Sequence, residues 1–235
     1  MSRDALIVAH GQPSDPASAE ADLAGLAKAV AAHLPGWRLR SATLAAPDAL
    51  AQAVGGLTSA RVLPFFMADG WFTRVELPRR LAETGAEGFS CLPAFGLMPE
   101  VARIAAGAAR SEIAAQGWQA RDCTLVLAAH GSGRSRAPAE AAGRLRDAIA
   151  EVLPVHSIRL GFIEEDPALE DVARDAGPKA LCLPLFVARW GHVVSDIPAA
   201  LAAAEFSGPC LPPVGTLPEV PALLARAISM DALTA

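Results

Sequence analysis

Short apolar runs alternate with longer amphipathic ones along the whole chain. Residues 5–9 form an uninterrupted apolar run closed by His10-Gly11, too short for a helix, which predicts a buried strand. Ser14-Asp15-Pro16 is a helix-start signal, and 17–34 reads as an amphipathic helix ended by Pro35-Gly36. The same reading gives strands at 38–44, 61–66 and 89–92, with helices at 47–54, 74–84 and 99–115. Further on, strands are expected at 123–129, 156–163, 180–187 and 210–211. Helices are expected at 138–152, at 167–176 with Asp166 as cap and Pro167 first, from a cap at Asp196 through 204, and at 218–228. Strands alternating with helices imply parallel sheets joined by right-handed crossovers.

The second half of this pattern repeats the first. LIVAHG at 6–11 returns within LVLAAHGSG at 125–133, and VLPFFMADGWFTRVELP at 62–78 returns as LCLPLFVARWGHVVSDIP at 181–198. His10 and His130, Pro47 and Pro167, Pro64 and Pro184, and Pro78 and Pro198 are each 120 positions apart. A collinear repeat of this length predicts two similar α/β halves, 1–118 and 119–235, facing each other across a cleft.

Bulk composition narrows the function. The chain has 235 residues, 52% of them apolar, enough for two cores. The first half carries 10 basic and 11 acidic residues and the second 10 and 14, a balance without the basic excess that nucleic-acid binding needs. No apolar stretch approaches the ~18 residues of a membrane span, and the start shows no signal peptide, so a soluble cytoplasmic protein is expected. Cys91, Cys123, Cys182 and Cys210 form no C-x-x-C pair, and Cys123 and Cys182 fall in strand-like runs as buried thiols.

Ligands of open parallel sheets collect at the carboxyl ends of the strands. Three polar residues of the second half fall there: His130 after its first strand, Glu164 after its second and His192 after its third. Glu165 and Asp166 compete with Glu164 for the middle role. Singly, each residue is as consistent with a loop position. Together, two imidazoles and a carboxylate suit a divalent transition metal and proton abstraction near neutral pH. The first half supplies an internal comparison, with His10, Ala45 and Phe72 at the matching positions. It keeps one polar group of three, so the reactive site is expected in the second half only.

At these residues the sequence resembles the class II, ATP-independent chelatases, which insert a metal into a tetrapyrrole, and within them the sirohydrochlorin cobalt and iron chelatases of cobalamin and siroheme synthesis. The carriers are the two AHG stretches, the VLPFF and CLPLF strands and, above all, GHVVSDIP at 191–198. The resemblance covers essentially the whole chain. It implies two flavodoxin-like parallel-sheet domains, and His130 and His192 as the metal-handling pair with Glu164 as the acidic partner. Co²⁺ or Fe²⁺ would be the substrate metal, with no cofactor permanently bound. Arg134, Arg136 and Arg189 would hold the carboxylates of sirohydrochlorin, aided by Ser132 and backbone donors of the Gly131–Gly133 turn at a helix start. Trp190, Trp71 and Phe72 offer flat apolar walls. The expected partners are the tetrapyrrole and the metal, with no nucleic acid and no membrane, in a monomer or weak homodimer.

Three other readings compete. One is a chelatase for another tetrapyrrole. A second is a paralogue that binds or delivers metal without turnover. The third is a phosphate binder using Gly131-Ser132-Gly133, a stretch that does not complete G-x-G-x-x-G because position 136 is arginine. Which histidine is ligand and which is base does not follow from the residues.

Overall fold

The computed structural model describes residues 3–85 and 88–230. By packing, the chain forms two compact units, one of Met1–Phe95 with Pro218–Ala235 and the other of Gly96–Leu217. These units are cut differently from the sequence repeat. The last helix of each repeat packs in the unit built mainly from the other repeat.

The first unit contains β1 (Asp4–Ala9), α1 (Pro16–Ala31), β2 (Arg38–Thr43), α2 (Ala49–Val54), β3 (Ser59–Pro64), α3 (Leu77–Glu83) and β4 (Gly88–Cys91). The strands form one parallel sheet in the order β2-β1-β3-β4. All six residues of β1 are buried, as expected of a central strand covered on both faces. Asp15 caps α1 by accepting a hydrogen bond from the Ser18 amide at 3.2 Å, and Pro16 takes the first helical position, where its missing N–H costs nothing. Leu6, Val8, Val62, Leu77 and Leu81 fill one face of this sheet. The unit is closed by α9 (Val220–Ser229), which packs on α1 and β3.

The second unit holds α4 (Pro99–Ala115), β5 (Thr124–Ala129), α5 (Ala137–Val152), β6 (Ser157–Phe162), α6 (Leu169–Ala173), β7 (Ala180–Pro184), α7 (Gly191–Val194) and α8 (Asp196–Ala203). Its parallel sheet runs β6-β5-β7. A further bridge, Cys182 to Cys210, sits where the sequence predicts a strand at 210–211. Helix α4 packs on α5 and β7. The parallel-sheet architecture predicted from strand–helix alternation is present in both units.

Three local predictions need correction, each for a physical reason. The helix expected at 167–176 is only Leu169–Ala173, because the Pro167 carbonyl accepts from the Phe162 amide at 3.0 Å and Ala168 bridges to Phe162. Residues 167–168 are therefore held extended, and Asp166 caps nothing. Asp196 is not a cap either. It is the first residue of α8, and its carboxylate is taken up by His192. Finally, the expected helix at 74–84 begins earlier, as a π-helical stretch at Phe72–Glu76 that runs directly into α3.

Candidate metal centre

In the order β6-β5-β7 the chain leaves β5 toward β6 and leaves β7 toward the opposite edge at Cys210, and ligands collect at the carboxyl ends where neighbouring strands diverge in this way. His130 directly follows β5 and His192 lies in α7 after β7, so the two flank this switch point. Glu164 enters from the remaining strand, β6: its amide donates to the His130 carbonyl at 2.9 Å, continuing the β5–β6 ladder by one residue past Ile163. Three separate strands thus deliver three donors to one place. One ligand atom from each of His130, Glu164 and His192 lies within 4.8 Å of the others.

The hydrogen bonds decide which nitrogens are available. Nδ1 of His130 lies 2.9 Å from the Gly131 carbonyl oxygen. A carbonyl oxygen can only accept, so this nitrogen carries the hydrogen. Nδ1 of His192 lies 2.5 Å from Oδ2 of Asp196 and, facing an acceptor-only carboxylate, carries a hydrogen too. In the neutral rings both Nε2 atoms then present lone pairs, and they face each other at 3.1 Å. Two facing lone pairs repel unless a cation lies between them, either a proton or a metal. For metal–nitrogen bonds of ~2.0–2.1 Å, donors on one ion stand about 2.9–3.4 Å apart, so the spacing suits shared coordination. Glu164 stands beside the His130 ring, Oε2 3.7 Å from Nδ1, exposed and able to take protons from the site to water.

The first unit preserves the shape of this arrangement without its chemistry. His10 also holds its own loop, Nδ1 at 3.0 Å from the Gly11 carbonyl. The His10 and Phe72 ring centroids are 4.4 Å apart at 84°, against 4.4 Å and 81° for His130 and His192. Phenyl replaces imidazole in the same stack. The Ala45 amide donates to the His10 carbonyl at 2.9 Å, which makes Ala45 the counterpart of Glu164. The carboxylate corresponding to Asp196 is Glu76, 120 positions earlier, and it is bound elsewhere. Arg80 at 2.6 Å and Arg79 at 2.9 Å clamp it, and these hydrogen bonds, led by that from Arg80, hold its carboxyl below the usual glutamate range. Alanines 199 and 200 stand at the equivalent positions of the second unit and leave Asp196 free for His192.

The residues expected around the tetrapyrrole are arranged less tightly. Ser132, Arg134 and Arg136 lie on the turn after His130, with Ser132 Oγ accepting from the Arg134 amide at 3.2 Å. Both guanidinium groups are exposed, and that of Arg136 approaches Glu140 at 4.0 Å. The Gly131–Gly133 turn does not open a helix as expected, since α5 starts only at Ala137. Arg189 is exposed on the loop before α7, and Trp190 beside it is half-buried. Trp71 is exposed and Phe72 half-buried, both in the first unit.

Asp196 joins this cluster through His192, although the sequence pattern marks it only as a helix cap. Its signal was present in the spacing, since His192 and Asp196 are four apart and residues four apart meet on one helical face. The Ser195 break between α7 and α8 does not separate them.

The sequence model of the CbiX family matches residues 124–230, the stretch that holds all four of these side chains. The chain matches no curated protein by sequence. Among solved structures, it is 47% identical to CbiX, described as the terminal enzyme for biosynthesis of siroheme in denitrifying bacteria, with a TM-score of 0.89 over 98% of this chain and 100% of that one. SirB from Bacillus subtilis with Fe³⁺ is 15% identical, with a TM-score of 0.78 over 97% of this chain and 96% of SirB. DR2241 from Deinococcus radiodurans, a multi-domain protein with structural similarity to chelatases, is 22% identical, with a TM-score of 0.72 over 97% of this chain and 56% of that one. The last two likenesses concern the fold alone.

Proposed function

The chain belongs to the CbiX family, and we infer that it is a chelatase that inserts a divalent metal ion, Co²⁺ or Fe²⁺, into sirohydrochlorin. The observation that carries this reading is the pair of imidazole Nε2 atoms facing each other at 3.1 Å with both Nδ1 hydrogens already committed. The siroheme role of the 47% identical CbiX supports iron as the cargo.

The reaction exchanges one M²⁺ for two pyrrole protons. His130 and His192 hold the metal through Nε2, and two histidines leave coordination positions open for the incoming pyrrole nitrogens. Asp196 keeps the His192 lone pair aimed at the metal by holding the hydrogen on Nδ1. Glu164 accepts the displaced protons and passes them to solvent. Arg134, Arg136 and Arg189 bind carboxylates of the macrocycle by paired hydrogen bonds, with Ser132 and Trp190 beside them. The metal is substrate, and the reaction as written needs no resident cofactor. Sirohydrochlorin is a water-soluble polycarboxylate, in keeping with a cytoplasmic protein that engages neither membrane nor nucleic acid. Among the described residues no helix is long and apolar enough to cross a membrane. Two copies of the fold in one chain support a monomer or weak homodimer.

The test is an absorbance time course of sirohydrochlorin with Co²⁺ or Fe²⁺. The protein is expected to accelerate metallation, and His192→Ala to reduce the rate by about 10²–10⁴-fold, as for loss of a group acting in proton or metal transfer. A spectral shift on mixing with no turnover would favour metal delivery over catalysis and overturn the enzyme reading.

A further inference from the structure

Outside the metal centre, the second unit brings two thiols together at the edge of its sheet. Cys182 is fully buried in β7 and is bridged in parallel to Cys210, which is exposed. Two backbone hydrogen bonds hold the register, Cys182 N to Pro209 O at 2.8 Å and Leu211 N to Cys182 O at 2.8 Å. Bridge partners on adjacent parallel strands project to the same face, with Cα atoms about 4.8 Å apart, inside the ~4.4–6.8 Å window that a disulfide spans. Both thiols are free, and the Cys210 Sγ–H donates to the Leu211 carbonyl at 3.8 Å. Cys210 beside it, helped by burial, pushes the Cys182 thiol well above the usual range. Cys182 in turn pulls Cys210 down against its partial burial, with the nearby Arg189 cation acting in the same direction. The pair therefore divides into an exposed thiol that ionises more readily and a buried thiol that holds its proton more tightly.

The repeat contains its own comparison. In the first unit the corresponding register pair is Val62 and Cys91. Cys91 is exposed like Cys210, but it faces a valine, and burial of its sulfur pushes its pKa up.

We propose that Cys182 and Cys210 form a reversible dithiol–disulfide site that hydroperoxides oxidise through Cys210. The Cys210 thiolate attacks the peroxide, the O–O bond breaks, and a sulfenic acid forms with release of alkoxide or, from hydrogen peroxide, hydroxide, which a solvent proton neutralises. The Cys182 sulfur then displaces the sulfenic hydroxyl, which leaves as water with the Cys182 proton, and the S–S bond closes. Two thiols lose two electrons and the peroxide gains them. Two equivalents of a small thiol, or one dithiol, reduce the bond and leave as their own disulfide. Reversible disulfides of this kind are the ones a reducing compartment tolerates. This site stands independently of the chelatase reading.

The folded protein would be treated with hydrogen peroxide, quenched with catalase, alkylated with N-ethylmaleimide and digested for mass spectrometry. The expected result is a Cys182–Cys210 cross-linked peptide, lighter by two hydrogens and cleaved by dithiothreitol. Titratable thiols would fall from four to two, with Cys91 still alkylated. Cys182→Val, which copies the first unit, is expected to give no cross-link and to leave Cys210 as a sulfenic acid trapped by dimedone. A wild-type protein that accumulates dimedone adduct at Cys210 without the cross-link would overturn the proposal. So would loss of Cys91 and Cys210 at equal rates with no cross-link, and neither result depends on the variant folding.

Discussion

The difference between the proposed metal site and its counterpart stack in the first unit comes down to single side chains. Histidine at 192 and phenylalanine at 72 occupy the same edge-on position against their partner rings, and only the imidazole has a lone pair to offer. Asp196 and Glu76 stand at equivalent places, but the arginines at 79 and 80 hold Glu76, while alanines leave Asp196 to fix the His192 tautomer. Asp196→Asn keeps the size and removes the charge that retains the hydrogen on Nδ1. An amide nitrogen turned toward the ring would favour the other tautomer and block Nε2. Cobalt titration followed by its visible bands is expected to show affinity reduced about 10–100-fold at unchanged melting temperature. An unchanged affinity would remove Asp196 from the site.

At the scale of elements, the site depends on what happens just past the strand ends. Gly131 has φ of +75°, and a Cβ there would come within 2.8 Å of Glu165 Cγ. Gly131→Ala is expected to cost about 1–2 kcal/mol from the left-handed backbone alone, read as a lower urea midpoint. The displaced loop should weaken cobalt binding in parallel, because the Gly131 carbonyl orients His130. Most elements could be read from periodicity because each buried strand is a short apolar run between turn residues, as 5–9 and 123–129 were. The misreadings lie where tertiary hydrogen bonds override local signals. Asp166-Pro167 has the composition of a helix start, yet the Pro167 carbonyl is taken by Phe162. Asp196 looks like a cap, yet a histidine four residues earlier claims its carboxylate. His130, Glu164 and His192 were legible because all three fall at strand ends of one sheet, and strand order needs no side-chain detail. Glu164 could be separated from Glu165 only by geometry. The Glu164 amide continues the ladder to His130 and its carboxylate approaches that ring, whereas Glu165 packs against Gly131, with Oε1 buried and without a hydrogen-bond partner.

For the whole molecule, duplication supplies two copies of a chelatase-like parallel sheet, and the proposed donor set is complete in one. The packing units are not the repeats themselves, since α4 belongs to the second unit and α9 to the first. A cut at the repeat boundary, 118/119, would therefore strip each sheet of a helix that covers it. His10 and His130 share loop geometry, each holding the next residue's carbonyl through Nδ1, so the same mutation at the two positions causes similar local damage and differs mainly in chemistry. The most direct measurement is thus the initial rate of metal insertion into sirohydrochlorin for His130→Ala beside His10→Ala. Activity is expected to fall about 10²–10⁴-fold in His130→Ala and to persist in His10→Ala. Equal losses in both, or a greater loss in His10→Ala, would contradict a single metal centre in the second unit.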